Sequence, residues 1–473
     1  MRANLKIVAR ALLALTLAIG VGYGAASQLA TYLLLGTASV ALVILLKDRL
    51  YVLAAIAALY LLGGSTGLPY LMDVGGFSLR LDDVLFALVL FDSVMRLRRI
   101  PLDPLVRQSF VRIVLPVGIF ITYVGMTLFL VARGHPQEIG MALAAFARLP
   151  VTSLYIIIAY TSFSTEYRLH SFVRLLSFLG AVSVLVASFQ FLSAPVLTIT
   201  RRVSGFQGPN ELGIVSGLLV LLAVVQFRHR ILGSTMLSCV ALTLGLLGIF
   251  LSKSISSTLA MVVAVSAYQF LRIRRDMLSI VRVLVGLGIA ASLSLVLFVA
   301  LRAGDAQGLV ASTGGSFFHR LLLAQAGWEI FKQNPIWGVG WRMSSLPEVI
   351  GATDIGIILR SRYRGLAEHM FPDVTVTSVH NMYLQFLTEL GLVGMLLFVG
   401  VVVYLGFAIR AILNESGHDS RLRAYGEYFA LGLVFLLVWW NTNPLYGGQL
   451  ETFLCFLFLG GIAAISNILR RSM

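Results

Sequence analysis

The sequence predicts an all-α polytopic membrane protein, and three observations predict it. Mean hydropathy is +0.91 and hydrophobic residues make up 58% of the 473. Charged residues make up only 12%, against about 25% in soluble domains. Apolar runs approaching or reaching the roughly 17–25 residues that cross a bilayer recur along the whole chain. About fourteen of them, some short, centre on 5–23, 29–46, 50–63, 83–95, 111–132, 148–163, 172–192, 210–227, 231–251, 256–271, 278–301, 389–412, 424–441 and 450–468. A soluble chain of this length would divide into about three domains, whereas one membrane bundle of about 12–14 helices takes up nearly all of this one.

The formal charge of +15 reads as a topology signal. Alternate connections carry most of the basic residues: Arg2, Lys6 and Arg10; Lys47 and Arg49; Arg96, Arg98, Arg99, Arg107 and Arg112; Arg168 and Arg174; Arg228 and Arg230; Arg272, Arg274, Arg275 and Arg282; Arg410, Arg421 and Arg423; Arg470 and Arg471. The intervening connections hold few, so the positive-inside rule puts both termini in the cytoplasm and the long loop outside. No basic-aromatic module accompanies the charge, which argues against a nucleic-acid partner. Cys239 and Cys455 both lie inside apolar runs and form neither a disulfide framework nor a metal site.

Residues 1–200 form the expected N-terminal scaffold. The apolar run after Arg10 continues to about Gly22, which suits a retained helix better than a cleaved signal. The segment Gly63–Asp83 reads as a polar, Gly-rich outer loop, with Asp82 and Asp83 placed to cap the next helix. Residues 96–112 make a basic cytoplasmic loop that can rest on anionic headgroups. Asp92 and Glu166 fall near cytoplasmic ends, where water satisfies them.

Residues 201–301 carry two informative turns. Arg201-Arg202 precede Gly205, Gly208 and Pro209-Asn210, where the chain enters a new helix. Outer arginines go against the positive-inside bias. They are either headgroup-facing cations or a guanidinium fork for a phosphate. Lys253 is the one charged residue between Arg230 and Arg272. It can snorkel at the interface, or it can serve a small polar site wetted by Ser252, Ser254, Ser256, Ser257 and Thr258.

Residues 302–379 form the single large loop, and residues 380–473 return to membrane helices. Phe317–Gln333 reads as an amphipathic helix with Leu321, Ala324, Trp328 and Phe331 on one apolar face, halted by Asn334-Pro335. Arg320 lies in its first turn, where a cation opposes the helix dipole, so an anion gathered at that helix start would give it a use. The turn Trp337-Gly338-Val339-Gly340-Trp341 suits a membrane interface. His380 stands at the boundary before the next apolar run. A lone histidine is usually structural, but an unperturbed imidazole can take a proton near neutral pH, and this one shares the outer side with Arg202, Lys253 and Arg320. One base with several cations suits transfer from a phosphate-activated donor to a hydroxyl.

These residues also carry a resemblance. His380-Asn381, nine residues, then Gly391-Leu392-Val393-Gly394 resembles the signature of the O-antigen ligase/O-antigen polymerase superfamily. Arg202-Val203-Ser204-Gly205 with Pro209-Asn210, the spacing from Arg202 to Gly213, and Arg320, Trp328, Asn334-Pro335 and Gly338-Val339-Gly340 are similar to its other motifs. Ser252-Lys253 stands where many members have Ser-Arg, and lysine offers a point charge rather than a fork.

The resemblance implies a bacterial inner-membrane glycosyltransferase of the membrane-embedded C type, metal-independent, inverting and without cofactor. Its donor would be an undecaprenyl diphosphate-linked glycan, the bilayer would hold the lipid, and other polysaccharide export components would be partners. His380 would be the base and Arg320 the second catalytic residue. Arg202, Lys253 and Arg320 would hold the diphosphate, supported by Asn381, Asn210, Glu389 and Arg201. Polymerisation of O-antigen or exopolysaccharide repeats is the favoured outcome. Ligation to lipid A-core of lipopolysaccharide or to protein is the alternative, and a lipid-linked glycan flippase would need more polar residues in mid-span than this sequence has.

Overall fold

The computed structural model describes residues 49–62, 70–74, 77–97, 104–193, 202–206, 208–230, 234–272, 315–346, 349, 354–362, 364, 379–415, 420–445 and 449–472. The expected spans at 5–23, 29–46 and 278–301 lie outside them, as does Arg201.

In chain order the elements are α1 (Arg49–Leu62), strands β1 (Tyr70–Val74) and β2 (Phe77–Arg80), α2 (Leu81–Leu97), α3 (Pro104–Gly134), α4 (Ile139–Ser153), α5 (Tyr155–Ser162), α6 (Glu166–Leu192), α7 (Pro209–His229), α8 (Thr235–Ser252) and α9 (Ile255–Arg272). After the next gap come α10 (Gly315–Gln333), α11 (Asp354–Arg362), α12 (Met382–Glu415), α13 (Ser420–Trp439) and α14 (Gln449–Ser472). Among the described residues, 8 helical stretches are long and apolar enough to cross a membrane, with two shorter apolar helices at Val52–Leu61 and Ile255–Tyr268. The expected span at 148–163 is longer, running Pro136–Ser162.

Two helices form the centre. Nearly every side chain of α7 from Leu212 to Val225 is buried, as is nearly all of α14 from Leu450 to Leu469. In lipid, helix contact gains little from the hydrophobic effect, so close packing must hold the bundle. Small residues supply it: Gly217 of α7 lies under Phe435 of α13, and Gly460 of α14 against the backbone of Ile156 in α5. Phe129, Phe189, Leu396 and Phe407 are exposed, as residues facing acyl chains must be.

Charges gather at one end. His229 Nε2 and Arg423 Nε meet the two carboxylate oxygens of Glu427 at 3.1 and 3.2 Å, and Arg421 approaches Glu166 at 3.6 Å. This is the end marked by the basic connections in the sequence.

Two expectations are corrected. The segment Gly63–Asp83 contains a hairpin, β1 antiparallel to β2 with Val74 opposite Phe77; its sequence cue was Gly75-Gly76 between alternating residues. In α10 the buried face is Leu322, Leu323, Ala326 and Ile330, while Trp328 is 50% exposed. The run Leu321-Leu322-Leu323-Ala324 is apolar all round, so periodicity could not choose a face. Packing of Gly327 on Leu384 and Thr388 chooses it.

Candidate active site

The site begins with a break in α12. Gly391 has φ 67° and ψ −169°, a backbone region that is essentially glycine-only. The helix therefore folds back. Phe386 and Phe398 would stand about 18 Å apart in a straight helix, yet their ring centroids are 4.9 Å apart, and Tyr383 lies 6.1 Å from Phe398.

A break inside a membrane protein exposes backbone polar groups that water cannot reach, and each needs a partner. The long loop supplies most of them. Val339 and Gly340 donate to the carbonyls of Thr388 and Glu389 at 2.9 and 3.0 Å. Leu392 and Val393 donate to the carbonyls of Pro335 and Ile336 at 2.8 and 3.3 Å, and the Tyr123 hydroxyl of α3 donates to the Leu390 carbonyl at 2.9 Å. Gly338 and Gly391 make the approach possible: a Cβ on Gly391 would lie 2.2 Å from the Ile336 oxygen. The paired Gly-x-Gly and Gly-x-x-Gly motifs are thus the two halves of one backbone clamp. Beside it, Glu389 is fully buried, accepting from the Ser344 hydroxyl and, at 3.2 Å, from Gln385 Nε2. Gln385 Oε1 in turn accepts from Leu445 N at 3.0 Å.

The clamp fixes a register. Gly327 of α10 meets Leu384 and Thr388, and the residues after α10 meet 388–393, so α10 and Met382–Leu390 run parallel. Counting back about 10 Å from Gly327 reaches Arg320, and about 9 Å from the midpoint of its contacts reaches His380. That counting directs Arg320 and His380 toward the same end of the pair. Arg320 is described in its backbone alone.

His380 is half-buried, one residue ahead of Asn381. Asn381 caps the helix, its Oδ1 accepting from Leu384 N at 3.0 Å, and its Nδ2 donates to Asn441 Oδ1 at 3.1 Å. Asn441 belongs to the 3-10 turn Trp440–Thr442 that ends α13. The helices α7 and α13 are antiparallel, with His229 against Glu427 and Gly217 near Phe435, so Asn210 and Asn441 lie at the same end of the pair. Arg202 is exposed. It donates from Nε to the Ser252 carbonyl at 3.3 Å and from Nη2 to Asn210 Oδ1 at 3.0 Å. Lys253 follows at once, half-buried and left-handed at φ 49°.

Arg202, Asn210, Lys253, His380 and Asn381 therefore share one end of the bundle, opposite Glu427. Glu389 stands about 13 Å further along the helix from His380, with its described bonds in the clamp. A largely apolar cavity of about 750 Å³ runs from Met382, Trp440 and Leu445 near this end to Arg410, Arg423 and Glu427 at the other. Among the described residues no cluster of His, Cys, Asp and Glu could hold a metal ion.

Residues 239–399 match the family model for O-antigen ligase. The matched region holds the Lys253 turn, Arg320 and both glycine motifs of the clamp, and it ends just past Gly394. It supports the superfamily reading of the motifs and leaves Arg202, Asn210 and Asn441 outside its bounds. No curated protein matches the chain at a significant level. Sequence reasoning missed Asn441, Ser344 and Gln385. Their partners are remote in sequence or, for Gln385, one turn along an apolar helix, and a short polar side chain in a loop carries no pattern.

Proposed function

We propose that the protein transfers a glycan from an undecaprenyl diphosphate-linked donor to an acceptor hydroxyl on the outer side of the bacterial inner membrane, extending O-antigen or exopolysaccharide repeats. The observation that carries this reading is the clamp within the matched region, which sets the helix bearing Arg320 alongside the helix that follows His380.

His380 takes the proton of the acceptor hydroxyl as its oxygen attacks the anomeric carbon. The bond from that carbon to the diphosphate oxygen breaks, the electron pair leaves with undecaprenyl diphosphate, and the anomeric configuration inverts. Arg320, Arg202 and Lys253 offset the charge that develops on the leaving group, a contribution that grows where water is excluded. Arg201 adds to the same field. Asn381 and Asn210 hold His380 and Arg202 in place, and Glu389 holds the clamp. The apolar cavity suits part of the polyprenyl chain.

The matched family's description, O-antigen ligase, favours a second reading, ligation of the finished glycan, with lipid A-core or a protein as the acceptor. Purified protein given a lipid-linked repeat, with and without lipid A-core, separates the two. A ladder of products indicates polymerisation, a capped acceptor indicates ligation, and no product in either reaction refutes both. His380→Ala is expected to lower transfer by about 10²–10⁴-fold, with severe loss in Arg320→Ala and folding retained in both. Near-normal transfer in either variant removes that residue from the mechanism.

A further inference from the structure

We infer that Asn441 is a further substrate-binding residue, donating its amide hydrogens to a hydroxyl-bearing acceptor beside His380; the assignment rests on the function proposed above. The argument follows from hydrogen-bond polarity. Asn381 Oδ1 accepts from the backbone N–H of Leu384, and a backbone N–H can only donate. The other atom of that side chain is therefore Nδ2, and it donates to Asn441. Asn441 must then present Oδ1 to Asn381, and the hydrogen-bond pattern alone fixes its amide orientation.

Among the described residues, nothing accepts from either N–H group of Asn441. The residue is exposed at the rim, and its described hydrogen bond is the one from Asn381. An amide carries no charge and suits neutral oxygens rather than a diphosphate. The cations Arg202 and Lys253 cluster around Asn210, whereas the described side-chain bond beside His380 joins two neutral amides. The amide pair thus sets neutral donors next to the proposed base, where the acceptor hydroxyl has to lie. It also adjoins Trp440 at the outer end of the apolar cavity, where a lipid-borne glycan would emerge from the bundle.

The isosteric substitution separates this role from a structural one. Asn441→Asp keeps the oxygen that Asn381 needs and removes both N–H donors. Full-length protein in detergent is assayed with lipid-linked donor and acceptor varied separately. Asn441→Asp is expected to melt with wild-type protein and to raise the acceptor KM about tenfold, with the donor KM unchanged. Asn441→Ala, which adds no charge, should show a similar rise. An acceptor KM within about twofold of wild type in both variants, or a rise confined to the donor KM, overturns the assignment. If wild-type protein transfers nothing, the proposed function falls and this assignment falls with it.

Discussion

Lys253 adopts a left-handed backbone at the C-terminal end of α8, φ 49° and ψ 33°, where glycine is the usual residue. A lysine there costs about 1 kcal/mol relative to glycine, and such strain persists where a side chain has another use. Lys253→Gly is therefore expected to hold or raise the melting temperature in detergent while lowering transfer. Parallel losses in both would make the lysine structural. Glu389 gives the opposite pattern. Glu389→Ala strands the Ser344 hydroxyl and the Gln385 amide without an acceptor, at about 1–3 kcal/mol each. It should lower the melting temperature well before it affects chemistry, and Glu389→Gln should lower it less.

At the scale of elements, the decisive feature is the fold-back of α12. Gly391→Ala would set a Cβ against the Ile336 carbonyl in a conformation few L-residues adopt. The loop from Pro335 to Gly340 should then detach and become sensitive to protease in detergent. Gly400 lies in the same helix with open space around it, so Gly400→Ala should leave the digestion pattern unchanged. Equal patterns for the two variants would mean that the clamp contributes nothing. The sequence showed Gly391-x-x-Gly394 and Gly338-x-Gly340 as separate motifs. Their pairing is invisible in one dimension, because backbone hydrogen bonds between segments about fifty residues apart impose no spacing on either.

For the molecule as a whole, the prediction concerns sidedness. In a cysteine-free background, Ser361→Cys, on the exposed part of α11, should react in intact cells with a membrane-impermeant maleimide. Arg228→Cys, exposed at the opposite end of α7, should react only after permeabilisation. The reverse result would put His380 on the cytoplasmic side and remove the lipid-linked donor from reach. The hydropathy pattern, the helix starting at Pro209, the turn at Lys253 and the stop at Asn334-Pro335 were all legible in sequence. Each depends on local chemistry: apolar transfer, a fixed proline φ, or a missing donor. The buried face of α10 was not legible, since four consecutive apolar residues satisfy any face.

The sequence by itself determined that this is a multi-pass helical membrane protein. It also grouped the basic connections onto one expected side and marked which few polar residues were candidates for chemistry, since hydropathy and charge are properties that residues carry individually. Only the tertiary structure decided that α12 folds back at Gly391, that the loop after α10 closes the break, and that Asn441 meets Asn381 next to His380. Buried backbone groups must find partners wherever the chain can supply them, and that choice is made in three dimensions.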